Sequence, residues 1–320
     1  MSRDKDFKEF YESSLKPDLE IIDRERRKVN TRIITIIAFT AVAISLEIIL
    51  IPSEAEMLKG IIPFLTGFAG LVVTGVVSKD YRKEYKNKII ARISGFLDEK
   101  LIYTPGGSVS FQDFLKSEIF PLRCDQFKGE DHFRGKIGRT DIEFSEVTAK
   151  HKNTSHNGSN QKDEYITIFK GLFIIADFNK HFKTHTLVLP DTAEKLFGKF
   201  GQTLQSVGTG KRKLVRLENP EFEKEFCVYG EDQVEARYIL TPSLMERILA
   251  YRKKWDSRIS LSFCDSKVYI AINMNKNLFE TRLFKPLTDY DFIEENLRFL
   301  ILITEIVEDL NLNTRIWTKD

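Results

Sequence analysis

Cysteine is scarce here, and the little there is builds no framework. Cys124, Cys227 and Cys264 are odd in number and far apart, with no C-x-x-C pair. That excludes a disulfide scaffold using all three and fits buried thiols in a reducing compartment. Charge of one sign is lacking too. The net value of +2 supplies no global basic field for nucleic acid. Catalytic signatures are equally thin. No G-x-S-x-G elbow and no dinucleotide glycine fingerprint occurs. Gly208-Thr209-Gly210-Lys211 fails as a phosphate loop, because Gln205 stands where the first glycine belongs and Arg212 replaces the Ser or Thr; it reads as a basic hairpin turn.

What is present in quantity is apolar sequence near the N-terminus. Two runs, Ile33–Ile51 and Ile61–Val77, are separated by a short polar connector from Pro52 to Lys59. A hydrocarbon core about 30 Å thick takes roughly 20 residues of apolar helix. The first run meets that length with one charge, Glu47, and the second approaches it. The connector permits only an antiparallel hairpin. A charged segment of about thirty residues precedes the first run and a second run follows at once, which favours a retained anchor over a cleaved signal. Arg24, Arg26, Arg27, Lys28 and Arg32 precede the hairpin, and Lys79, Arg82, Lys83, Lys86 and Lys88 follow it, while the connector holds Lys59. This asymmetry predicts both termini in the cytoplasm. Thr66, Gly70 and Thr74 recur every four residues, a small-residue stripe that lets a helix approach closely, either its hairpin partner or a second membrane protein.

Residues 1–32 read as a cytoplasmic amphipathic helix, with Phe7, Phe10, Tyr11, Leu15, Leu19 and Ile22 at helical spacing and a break near Pro17. Residues 33–77 form the hairpin, and residues 78–320 a cytoplasmic α+β domain. A helix leaves the membrane from Lys79 to about Leu101, and a short one covers Ser110 to Phe120. Strands are predicted at Lys128–Arg134, Lys136–Ile137, Thr140–Glu146, Tyr165–Phe178 (bent or split at Gly171) and Thr184–Leu189. His151–Asp163, polar and rich in Asn and Ser, reads as an exposed loop. Asp191 to Ser206 reads as a capped helix, Lys213–Leu217 as a strand. Asn219-Pro220 and Thr241-Pro242 each open a helix. Ile259–Phe263 and Lys267–Asn273 form a hairpin. A strand near Phe279–Phe284 leads to a long helix, Asp289–Leu310, apolar around most of its circumference and thus buried. Strands in runs give α+β, with a largely antiparallel sheet.

Three long motifs stand out: GLFIIADFNKHFKTHTLVLPD (Gly171–Asp191), LENPEFEKEFCVYGEDQVEARYILTPSLMERIL (Leu217–Leu249) and LNLNTRIW (Leu310–Trp317). They resemble an uncharacterised bacterial membrane-protein family, domain of unknown function 3137. The resemblance implies a bacterial inner-membrane protein with a cytoplasmic α+β domain and no assigned activity. Genes of that family often neighbour those of LemA-type proteins, which implies an envelope partner. No site residue carries over.

Read from the residues alone, the densest charge cluster is Glu231–Tyr238. Asp232, Glu235 and Arg237 could bind a ligand or partner, or Glu235 and Arg237 could pair on one face of a strand. Arg315 and Trp317 are interface-type residues, equally explained by a docked tail. His181 and His185, four apart in a turn entering a strand, would lie roughly 13 Å apart on one face and read as exposed loop histidines. The basic residues Arg252, Lys253 and Lys254 fit a helix C-terminus rather than a nucleic-acid surface. No catalytic residue, cofactor or metal is assigned. Two functions remain: a membrane-anchored binding or scaffolding module, and a motif-less enzyme or ligand sensor at the cytoplasmic membrane face that would draw on Asp232, Glu235, Arg237, Asp177 and His181.

Overall fold

A computed structural model describes residues 2–52, 54–157, 160–178, 180–191, 212–255, 257–310 and 312. The chain divides into two compact units, Met1–Ile93 with Phe279–Arg298, and Ser94–Leu278 with Phe299–Asp320.

The first unit is helical. α1 (Ser2–Phe10) passes through a π-helical turn, Tyr11–Leu15, into α2 (Lys16–Leu50). The expected break at Pro17 does not occur. Proline falls in the first turn of α2, where its missing N–H is no loss, and the wider turn before it absorbs the misfit. α3 (Glu56–Tyr85) runs back and continues through a second π-helical turn, Lys86–Ile90, into α4 (Ala91–Leu97). Both long helices are apolar and long enough to cross a membrane, and their most apolar stretches are exposed.

The segment expected as a strand near Phe279–Phe284 is irregular. Side chains of the helices take its backbone groups instead of a neighbouring strand. Arg26 Nη1 donates to the Leu283 carbonyl (2.8 Å) and Tyr81 OH to that of Arg282 (2.6 Å), while Asp23 accepts from Leu287 N (2.9 Å). Tyr11 OH reaches Thr288 O (2.7 Å), and the Tyr11 ring meets Tyr290 edge-on at 5.0 Å. Asp23 and Arg26 are a buried pair, Nε to Oδ1 2.6 Å. Burial opposes the charge on Asp23, but hydrogen bonds from Arg26, Leu287 N–H and Arg27 outweigh it and hold the carboxyl below its ordinary value.

The second unit is built on a nine-stranded antiparallel sheet: β1 (Ile102–Thr104), β2 (Gln126–Ile137), β3 (Thr140–Asn157), β4 (Asn160–Asp177), β5 (Thr186–Pro190), β6 (Lys213–Leu214), β7 (Phe226–Gly230), β8 (Ile259–Cys264) and β9 (Lys267–Asn273). The spatial order is β1-β2-β3-β4-β9-β8-β5-β7-β6. Helices α5 (Phe111–Lys116), α6 (Pro220–Glu225), α7 (Gln233–Ile239) and α8 (Pro242–Trp255) also lie in this unit. Asn219 caps α6 through Oδ1, with proline at the start as expected. Phe114 on α5 stacks on Phe120 (4.9 Å) and approaches Phe173 (5.2 Å), so α5 covers the aromatic core of the sheet.

His151–Asp163 is not a loop. β3 and β4 pair, with one register shift between Ala149 and Lys150, out to Asn157 and Asn160. The pairing of β2 reaches β3 only at Lys150, and that of β9 reaches β4 only at Gly171. In the outer ribbon each arm therefore pairs with the other alone, and its sequence is polar. β4 runs unbroken through Gly171, at φ +152°, where any Cβ would collide with the Ile272 carbonyl of β9.

The expected long C-terminal helix is shorter and amphipathic. α9 (Tyr290–Thr304) is followed by a four-residue turn, α10 (Ile306–Asp309). Asp291, Glu295 and Arg298 are exposed. Thr304 Oγ1 lies 2.9 Å from Leu300 O, and this side-chain bond to the preceding turn accompanies the break at Glu305. The expected helix to Ser206 lies outside the described residues beyond Asp191.

Candidate functional site

The charged cluster Glu231–Tyr238 forms α7 rather than a strand. Asp232 is its N-cap, with Oδ1 accepting from Val234 N (2.7 Å) and Glu235 N (2.9 Å). Glu235 turns away from the helix to accept Lys183 N (2.9 Å), Thr184 N (2.7 Å) and the Thr184 hydroxyl. Burial works against its charge, but these donors keep the carboxyl below its usual range. Arg237 donates to Gln233 O (2.9 Å) and Arg216 O (3.0 Å). Glu235 ties α7 to the turn before β5 and Arg237 ties it to the segment after β6, while Asp232 caps the helix itself. Asp177 ends β4 in register with Lys267, and His181 Nδ1 lies 3.4 Å from Ser266 Oγ. Arg315 and Trp317 lie outside the described residues.

The chemistry-bearing group that sequence reasoning missed centres on His185, which is 6% exposed rather than on the surface. Its Nε2 faces Ser262 Oγ (2.6 Å) and Ser117 O (3.2 Å), and its Nδ1 faces Arg212 Nη2 (2.8 Å). Arg212, with a side chain 3% exposed, also pairs with Glu118 and lies 3.9 Å from Glu231. A Ser–His–carboxylate grouping invites comparison with a catalytic triad. The donors decide against it. A carbonyl only accepts and a guanidinium only donates, so Nε2 carries the proton and Nδ1 the lone pair. An imidazole in that tautomer cannot take a proton from Ser262. Burial first, then Arg212, lowers the His185 pKa and holds the ring neutral. The group joins β5, β8, the segment after α5 and Arg212 as a buried polar lock. A signal was available: His185, Leu187 and Leu189 alternate onto one face approaching a buried strand.

The thiols are not poised as nucleophiles. Burial, then Asp265, pushes Cys264 up to about 11, and burial raises Cys124. Cys227 Sγ points to Asp191 Oδ1 at 3.7 Å.

In the hairpin, Thr66 Oγ1 donates to Glu47 Oε1 (2.6 Å), while Glu47 Oε2 is buried without a hydrogen bond. A Cβ on Gly70 would stand 2.7 Å from Thr40 Oγ1, so α2 and α3 approach closely there. Thr74 Oγ1 bonds Leu71 O of its own helix (2.7 Å).

No curated protein matches the chain. The crystal structure of the mycobacterial trehalose monomycolate transport factor A, TtfA, is similar at 9% identity and a TM-score of 0.34, over 71% of this chain and 96% of that one. A likeness so distant carries no argument about function. Residues 167–312 match the family model described as Protein of unknown function (DUF3137), and over that stretch the chain carries the domain its motifs resemble.

Proposed function

We propose that this chain is a membrane-anchored binding or scaffolding module of the bacterial inner membrane. In this reading residues 33–77 span the bilayer as a hairpin, and residues 1–32 and 78–320 face the cytoplasm. The observation that carries it is the exposure of large apolar side chains along two adjacent helices, with Phe39 78% and Phe64 71% accessible. A water-soluble surface does not sustain so continuous an apolar band, whereas helices satisfy every backbone group internally, as hydrocarbon demands. The pairing of Thr66 with the one acid of the first run suits the same solvent. Basic residues on both flanks favour cytoplasmic termini. Asp232, Glu235 and Arg237 are engaged in a cap and in bonds to backbone, which favours a module that holds a partner, such as a LemA-type membrane protein.

The test is in-cell crosslinking of the tagged full-length chain, followed by detergent purification and alkaline extraction of the membranes. Retention in washed membranes with a stoichiometric envelope protein supports the reading. Release at high pH overturns the anchor. A chain that stays in the membrane without a partner shifts the function to an enzyme or ligand sensor at the same face.

A further inference from the structure

Beside the contact at Gly70, α2 and α3 leave a groove of about 500 Å³, within the range of small-molecule sites. Isoleucines of α2, from Ile33 to Ile44, line one wall; Gly67, Gly70 and Gly75 of α3 keep the other low. Arg82 and the Leu283–Phe284 pair close the end near Ile33. We propose that this groove seats one acyl chain of an anionic phospholipid from the cytoplasmic leaflet, with the headgroup at Arg82. The proposal rests on the hairpin spanning a membrane.

Length, charge and closure single out this occupant. From Ile33 to Ile44 a helix rises about 17 Å at 1.5 Å per residue, and one leaflet contributes about 15 Å of hydrocarbon. The groove thus matches a single leaflet in depth. At its cytoplasmic end Arg82 and Lys86 share one carboxylate, Glu280, at 3.1 and 3.0 Å. Lys79 and Lys83, exposed on α3 on either side of Arg82, add the positive charge that a phosphate would meet. Phe284, 65% exposed, lines the same groove as Arg82. A transmembrane helix of another protein fits less well. It would have to continue past Arg82 and Phe284, whereas an acyl chain ends there in its own polar group.

The experiment uses the full-length protein, extracted from carbonate-washed membranes in mild non-ionic detergent and examined by native mass spectrometry. It is then exchanged against phosphatidylglycerol or phosphatidylcholine. One retained phospholipid per chain is expected, with phosphatidylglycerol favoured about tenfold, because the phosphate is common to both lipids and only phosphatidylcholine sets a cation against the basic residues. A Cβ at Gly75 meets nothing within 4 Å, and Gly75 lines the groove, so Gly75→Leu fills part of it and should abolish retention. Arg82→Gln should keep an acyl chain and lose the headgroup preference. Chains that remain in washed membranes yet carry no lipid overturn the proposal and leave the anchor standing. So does a Gly75→Leu variant that binds as the parent does, or a protein crosslinked from position 75 in place of lipid. Release of the chain by carbonate overturns the anchor, and the groove's occupant with it.

Discussion

Phe64 and Phe173 are the same residue in two regions with opposite rules. In the hairpin, phenylalanine, isoleucine and leucine point outward, and the polar pair Thr66–Glu47 sits between the helices. In the sheet, Phe173 and Phe144 are fully buried, and the outer ribbon of β3 and β4 is polar. Composition does not distinguish the regions, since both are rich in large apolar residues. Arrangement does, because burial follows the solvent each surface is built to meet.

The contrast can be broken most forcefully at the aromatic core. Phe173→Ala should cost about 3–5 kcal/mol in denaturant unfolding of the full chain in detergent. Phe64→Ala should stay within about 0.5 kcal/mol, as exposed positions do. Equal losses would mean that Phe64 is covered by protein. A comparable loss, about 3–5 kcal/mol, is expected for Asp23→Ala, which strands the buried Arg26 and frees Leu287 N–H. A variant as stable as the parent would show that Arg26 finds another partner or reaches water.

The His185 lock sharpens the comparison through pH. Its folded pKa is lowered, so the unfolded chain, near 6.5, binds the proton first. Stability is therefore full above about pH 6.5 and falls as pH drops from there toward the folded value. The groups facing the ring are Arg212, Glu118, Glu231 and Asp265. Thermal unfolding of the full chain should lose this acid-side slope in His185→Gln; a variant with the parental slope would assign the titration elsewhere. A small effect is expected between the two hairpin helices. Thr66→Val removes the hydrogen bond to Glu47 and should cost about 0.6 kcal/mol, the average for such bonds between membrane helices. Unfolding in mixed micelles measures it, and a loss several times larger would mean that Glu47 has no other way to be satisfied.

Much of this architecture was readable from residue order, because local rules and tertiary context agree there. The apolar runs, the proline-started helices α6 and α8 and the β8–β9 hairpin follow from periodicity and turn chemistry. The failures have three causes: a polar ladder closed by its own hairpin, contacts between distant residues, and a helix cap inside a charge cluster. Polar His151–Asp163 pairs as strands because each arm supplies the other's ladder. The apolar Phe279–Phe284 stays irregular because Arg26 and Tyr81, hundreds of positions earlier, take its carbonyls. Glu235 and Arg237 sit on a helix because Asp232 caps it, a local signal read instead as part of a charge cluster. The candidate site was less legible still, since the buried face of His185 emerges only when β5 and β8 meet.

The 35 residues of α2 form one helix of about 52 Å with no joint where its polar part gives way to its apolar part. Its upper end grips a loop through Asp23 and Arg26, and that loop carries Leu283 and Phe284. A rod without a hinge transmits torque. In the membrane-anchored reading proposed above, a tilt imposed on the apolar end by a bilayer of different thickness is passed along this same helix to the gripped loop.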